Sequence, residues 1–302
     1  MVLFEGCAGA EEEKTDPPTV GLDRWLAERE SRSPDLIPGT EKVIIWNDKA
    51  DEKTPLALVY IHGFSATRRE IAPTLDIVAD QLGANLFYTR LTGHGRGAEA
   101  MADATIEKWK TDVAEALEIG KRLGDRVIVA ETSTGAPLAA WLATEYSEIS
   151  AVVLISANFQ PANKMANIIL WPGGRIITRI AVGKRYSFEP QNEDHARYRT
   201  TSYPPKALLP MMQACRLGIR SPLEHINAPV LFLYTEDDDV VDLEALKKAY
   251  ERVGSEKKQL IQVREATDHV MAGDIISPQA TGIVVSHIVS FIQEAVLTGS
   301  AR

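Results

Sequence analysis

Five residues, Glu131-Thr132-Ser133-Thr134-Gly135, combine a hydroxyl with a setting that could make it a nucleophile. Before them, residues 126–130 form a short apolar run rich in Val and Ile, which reads as a buried strand. From Gly135 the pattern changes to Ala, Leu and Trp at helical density. A serine on a tight strand-to-helix turn has its hydroxyl lifted out of the sheet, and the helix N-terminus behind it favours developing negative charge. The usual form of such a turn is G-x-S-x-G, and Glu131 stands at the first glycine. The turn is crowded there, so the Glu131 side chain is expected to point away from the strand–helix contact. Taken alone, the five residues also fit an ordinary Ser/Thr-rich helix N-cap.

A serine hydroxyl needs a base, and the base needs an orienting acid. Of the six histidines, His269 in Thr267-Asp268-His269-Val270 follows the last predicted strand, 259–263, by a short loop. A Ser…Asp…His chain order places the base there. His62 and His94 lie in Gly-rich turns, His195 and His225 in an irregular region and His287 on the final helix, where structural roles suffice. The acid belongs after the preceding strand, 230–234, where the chain reads Glu236-Asp237-Asp238-Asp239. By residue type any of these aspartates could serve, and so could a merely solvated turn. Acyl transfer also needs oxyanion donors. The N–H of Thr134 is one candidate, and the N–H of Phe64, in His62-Gly63-Phe64 after the strand 56–61, is the other.

These residues need elements to position them. Strands are expected at 43–46, 56–61, 85–89, 126–130, 151–156, 230–234 and 259–263. Helices are expected at 22–32, 69–82 (interrupted early by Pro73), 106–123, from 135, 243–253 and 283–295. Strands alternating with helices predict an α/β fold with a mostly parallel sheet covered on both faces. Between 157 and 226 the rhythm breaks into Pro/Gly-rich sequence with helical patches at 168–170, 176–180 and 207–217. That is too long for a simple loop and suggests an inserted helical cap at the C-terminal edge of the sheet, where open α/β sheets bind ligands. The expected organisation is an N-terminal tether and short helix (1–40), a core (41–156 and 227–302) and the cap (157–226).

Composition sets limits on partners. The chain has 302 residues, 45% hydrophobic and 25% charged, which is globular composition for one α/β domain with an insertion. Its net charge of −9 argues against nucleic acid or an anionic membrane as main partner. No internal repeat is visible, and no stretch reads as long enough to cross a membrane. Two cysteines, Cys7 and Cys215, exclude a disulfide framework and have no metal-ligand company. Residues 4–9 loosely match the lipid-attachment end of a bacterial lipoprotein signal, so a trimmed lipoprotein anchored through Cys7 is the one expected route to a membrane. Localisation is otherwise open.

Together these features resemble the α/β-hydrolase family from about Val43 onward. The resemblance rests on His62-Gly63-Phe64, the loop Leu91-Thr92-Gly93-His94-Gly95, the turn around Ser133, the acidic turn and His269. It is nearest to the capped branch of carboxylesterases, monoacylglycerol lipases and serine aminopeptidases. The resemblance implies a triad of Ser133, His269 and Asp238, because the family's acid stands three residues after the position of Thr235. It implies an oxyanion hole from Phe64 and Thr134, no cofactor and no metal. The expected activity is hydrolysis of a small-molecule carboxylic ester through an acyl-serine, with amide or thioester hydrolysis, or a silent binding module, as the rivals. Phe64, Phe159 and Trp171 are expected to bind an apolar acyl group.

Overall fold

A computed structural model describes residues 16–33 and 35–298. Cys7 and most of the expected tether at 11–18 lie outside the described residues. The central sheet has seven strands: β1 (Val43–Ile45), β2 (Thr54–Ile61), β3 (Asn85–Tyr88), β4 (Gly124–Thr132), β5 (Ile149–Ile155), β8 (Val230–Tyr234) and β9 (Lys258–Gln262). The two short strands between β5 and β8, β6 (Tyr186–Ser187) and β7 (Ser202–Tyr203), pair with each other outside the sheet. Sheet order is β1-β3-β2-β4-β5-β8-β9, with β1 antiparallel to β3 and every other pairing parallel.

The period-2 pattern of the strands divides the core in two. Ala57, Val59 and Ile61 face one side, with Trp109, Val113 and Leu117 of α3 (Ile106–Leu123) and with α4 (Gly135–Glu145) and α8 (Leu243–Arg252). Leu56, Leu58 and Tyr60 face the other, where α2 (Thr74–Leu82) and α9 (Thr281–Ile292) pack. The middles of the central strands, such as Val127–Ala130 of β4, are apolar on both faces because helices cover both. Helix α3 begins after Thr105, whose hydroxyl caps it by accepting from the Lys108 N–H at 3.2 Å. It lies close on the sheet through Gly120, where a Cβ would come within 2.6 Å of Val59 Cγ2. Helix α1 (Leu22–Glu30) adds Leu22 and Leu26 to the same layer.

The helical stretch expected at 69–82 is interrupted at Pro73 as read, with a 3₁₀ turn, Arg68–Glu70, before the break and α2 after it. One expectation is corrected. The C-terminal run Pro278–Leu297 is 20 residues long and, contrary to the sequence reading, apolar and long enough to cross a membrane by length and composition; half of it is buried in the fold. Val284, Val285, Ile288, Phe291 and Ile292 account for that apolarity by packing against α2 and the sheet.

Between β5 and β8 the chain forms a 3₁₀ segment (Lys164–Leu170), α5 (Gly174–Val182), α6 (Glu193–Tyr198) and α7 (Leu208–Arg220). Helix α6 and the β6–β7 pair fall outside the patches read from the sequence. Helix α7 packs on α4, and Gly218 makes that possible, since a Cβ there would lie 2.5 Å from Pro137. Cys215 is buried in this contact, its Sγ 3.2 Å from the Asn158 carbonyl oxygen, and burial pushes the thiol up to about 12, which leaves it inert.

Candidate active site

Serines close three adjacent sheet connections in the left-handed region, with φ of 60° at Ser65 after β2, 56° at Ser133 after β4 and 49° at Ser156 after β5. For an L-residue this conformation costs about 1–2 kcal/mol, so the surroundings must hold it. At Ser133 the holding bonds are the Ser133 N–H to the Ile155 carbonyl (2.9 Å) and the Ser133 carbonyl accepting from Ala136 and Asn158 N–H (3.0 Å each). The chain then enters α4. Gly135 has no room for a side chain: a Cβ would lie 2.6 Å from the Ile61 carbonyl oxygen and 3.0 Å from Glu131 Cβ.

That last contact corrects the reading of Glu131. Its side chain does not turn away from the strand–helix contact; it occupies the space that Gly135 leaves. Oε1 accepts from the Ile155 N–H at 3.2 Å, while Oε2 is buried without a partner among the described residues. Burial, with nearby Glu70 adding to it, raises the Glu131 carboxyl well above the usual range. The acid therefore stays protonated at pH values where a free glutamate is ionised.

Ser133 Oγ lies 2.8 Å from His269 Nε2, and His269 Nδ1 lies 2.8 Å from Asp238 Oδ2. All three side chains are buried. The other oxygen, Asp238 Oδ1, accepts from Val240 N–H (3.0 Å) and Val241 N–H (3.2 Å), which fixes the carboxylate plane. Burial works against its ionisation, but the hydrogen bond and charge of His269 and the two backbone donors hold it below the usual range. Asp237 and Asp239 are exposed. The His269 loop is tied down by the Ser156 hydroxyl, which donates to the His269 carbonyl at 2.6 Å.

Among the described residues, the N–H groups of Phe64 and Thr134 donate to no other protein group, leaving both free beside Ser133. The loop carrying Phe64 is fixed by side chains that the sequence reading left as structural. His62 Nε2 accepts from Leu91 N–H at 3.0 Å, so Nδ1 carries the proton and donates to the Gly63 carbonyl at 2.8 Å. That carbonyl belongs to the same peptide as the Phe64 N–H. His94 Nε2 accepts from Ser65 N–H at 3.0 Å, and the two imidazoles meet edge to face at 4.8 Å. Burial lowers His62 to about 4, and burial with the neighbouring His62 holds His94 well below the usual range, so both remain neutral. Glu70 Oε1 accepts from Gly63 N–H (2.6 Å) and from the Tyr60 hydroxyl (2.9 Å), which also lies 2.9 Å from Thr132 Oγ1. From the segment between β5 and β8, Arg199 Nε donates to Ser65 Oγ at 3.2 Å. Two His-Gly pairs 32 positions apart were the visible signal; nothing in the linear chain said that their rings touch.

Ser133, Thr134, Phe64 and His269 open onto a cavity of ≈ 780 Å³. Met165, Ile168, Ile177, Leu208, Met211 and Met212 make it apolar on one side, and Gln191, His195, Arg199 and Asp268 make it polar on another. Phe64 is in the lining, its ring edge-on to Tyr203 at 5.1 Å. Phe159 and Trp171, expected to bind substrate, are not. Phe159 is fully buried against Phe232 beneath α7, and Trp171 is 63% exposed on the outer surface beside a separate groove. Apolar character drew both into the expectation, but one belongs to the core and the other to the outside.

Comparison with known proteins bears on the family and the fold. The model of the family described as serine aminopeptidase, S33 matches residues 53–274, well over half of the chain. A thermostable monoacylglycerol lipase from Bacillus sp. (strain H-257) is 24% identical over 227 residues, spanning 75% of this chain and 88% of the relative. Similar solved structures include one of the metagenome-derived lipolytic enzymes LipS and LipT (TM-score 0.69, 18% identity, 86% of this chain and 99% of that one). A soluble variant of the monoglyceride lipase of Saccharomyces cerevisiae is another (TM-score 0.65, 13% identity, 85% and 92%). At these identities the structural likenesses speak for the fold, while the family match reaches over the strands and loops that carry Ser133, Asp238 and His269. The chain belongs to the serine aminopeptidase S33 family and has the α/β-hydrolase fold.

Proposed function

We propose that this protein hydrolyses carboxylic esters through an acyl-serine intermediate formed on Ser133. The observation that carries the reading is the unbroken Ser133–His269–Asp238 chain, 2.8 Å at each link, at the floor of the cavity. His269 Nε2 takes the Ser133 proton as Oγ attacks the ester carbonyl, and Asp238 holds the proton on Nδ1 and supports the imidazolium. The Phe64 and Thr134 N–H groups receive the oxyanion. His269 then passes its proton to the leaving alcohol, and the same groups deliver water to the acyl-serine. Residues 157–226 act as a cap over this site. The apolar side of the cavity suits the acyl chain of a monoester, and the polar side around Gln191 and Asp268 suits the alcohol. The monoacylglycerol lipase from Bacillus sp. (strain H-257) makes a fatty monoester the first substrate class to try.

A series of p-nitrophenyl esters of increasing acyl length, run beside aminoacyl p-nitroanilides, tests the reading. Ester cleavage that exceeds anilide cleavage at every length and disappears in Ser133→Ala is the expected result. Anilide cleavage faster than any ester would turn the assignment to an amidase on the same residues. No turnover of either class would leave a binding module.

A further inference from the structure

Six of the twelve exposed large apolar side chains among the described residues fall between Met165 and Tyr186. Met165 is 67% exposed, Trp171 63%, Ile176 67% and Ile180 78%. Helix α5 sits between two environments. Ile177, Thr178, Ala181 and Val182 line the cavity over Ser133, while Ile176 and Ile180, one turn apart, are turned outward. A soluble surface rarely clusters such groups without a partner.

The charge around this face identifies the partner. From Lys164 to Phe188 the chain carries Lys164, Arg175, Arg179, Lys184 and Arg185 and no acidic residue, within a protein of net charge −9. Lys164 lies 3.4 Å from Asp242 and Arg185 bonds Glu99, but Arg175, Arg179 and Lys184 form no ion pair among the described residues. Trp171, Arg175 and Ile176 share a groove of ≈ 420 Å³ with Arg216 of α7. A second copy of the chain would oppose this basic face with another, a repulsive arrangement in a two-fold contact. Branched aliphatic residues and a tryptophan, bordered by arginines and lysines, fit the headgroup layer of an anionic bilayer instead.

We propose that the outer face of α5, with Trp171 and its basic border, docks on an anionic lipid surface. The overall negative charge does not oppose this, because screening restricts the attraction to charges within about 10 Å of the membrane. Docking would set the cavity roof against the layer that holds acyl esters, and in that respect the proposal rests on the ester-hydrolase reading. The binding itself does not.

Sedimentation of the full chain with phosphatidylcholine vesicles, with and without phosphatidylglycerol, tests it, no substrate being present. The wild type should partition onto the phosphatidylglycerol vesicles and be released by salt. Arg175→Glu combined with Arg179→Glu should lower the partition coefficient at least about ten-fold, and Ile176→Asp combined with Ile180→Asp should do the same. All four positions are exposed or lie outside the cavity lining, so hydrolysis of a dissolved acetyl ester should be unchanged, which also reports folding. Failure to bind anionic vesicles, equal binding to neutral ones, or full binding by either double variant would overturn the proposal. So would concentration-dependent self-association in sedimentation velocity that the Ile176/Ile180 variant abolishes. Vesicle binding by a protein that cleaves no ester would remove the functional reading and leave this one standing.

Discussion

Replacing Asp238 by Asn tests which aspartate supports the base. In the native turn one carboxylate oxygen faces His269 Nδ1 at 2.8 Å, and the other accepts from Val240 and Val241 N–H at 3.0 and 3.2 Å. The Asn carbonyl can keep both backbone bonds, which leaves its NH₂ facing the protonated Nδ1, donor against donor. The imidazole relieves this by moving its proton to Nε2, where it donates to Ser133 Oγ and can no longer accept from it. Losing a working base in this way costs about ten-thousand-fold in kcat, or roughly 5 kcal/mol at about 1.4 kcal/mol per decade. The fold should lose much less, about 1.5–3 kcal/mol for one charge-assisted hydrogen bond. Asp237→Asn and Asp239→Asn change exposed carboxylates and should stay within about ten-fold of wild type. Initial rates on a soluble ester, with thermal melts of each variant, separate these effects. An Asp238→Asn protein that is folded and within ten-fold of wild type, or a large loss at either neighbour instead, would refute the reasoning.

Three further outcomes are expected. Glu70→Ala leaves the Gly63 N–H without its buried acceptor and loosens the Phe64 loop, so kcat on a soluble ester should fall about 10- to 100-fold with KM little changed, whereas Glu70→Gln keeps an acceptor and most of the activity. Glu131 has a raised folded-state pKa, so its contribution is fully present below about pH 4.5 and is lost as pH rises toward the folded value. Glu131→Gln, which stays neutral, should therefore gain stability over wild type by up to about 1.4 kcal/mol per pH unit above that point, measured by urea unfolding across pH; a pH-independent difference would contradict it. Met211→Trp fills the apolar side of the cavity and should shift the preferred p-nitrophenyl ester to a shorter acyl chain while sparing the acetate; equal loss on all lengths would place the acyl chain elsewhere.

The strands and most helices were legible because their apolar periodicity is set by burial on both sheet faces. Residues 106–123 match α3 from end to end, since Trp109, Val113, Leu117 and Leu123 keep one apolar face along its length. Ser133 and His269 were legible because each sits at a strand end in a recognisable chain order. Asp238 needed the family resemblance, for nothing in three consecutive aspartates says which faces His269. What escaped was set by tertiary neighbours. Glu131 keeps its side chain in the turn because the Ile155 N–H and the space at Gly135 are both there, and neither is adjacent in sequence. Phe159 and Trp171 show that apolar type alone does not distinguish core, cavity and outer surface. The length of the apolar run Pro278–Leu297 was underestimated because Ser286, His287, Gln293 and Glu294 interrupt it.

The central claim is that Ser133 is the nucleophile, and covalent labelling addresses it most directly. The protein would be treated with a fluorophosphonate, digested, and mapped by mass spectrometry alongside Ser133→Ala. The account predicts one adduct, on Ser133, formed in step with loss of esterase activity and absent from the variant. Ser65 and Ser156, which share the left-handed conformation but whose hydroxyls bond Arg199 and the His269 backbone carbonyl rather than the His269 imidazole, should remain unlabelled. An adduct on Ser65 or Ser156, or an active enzyme that the probe neither labels nor inhibits, would contradict it.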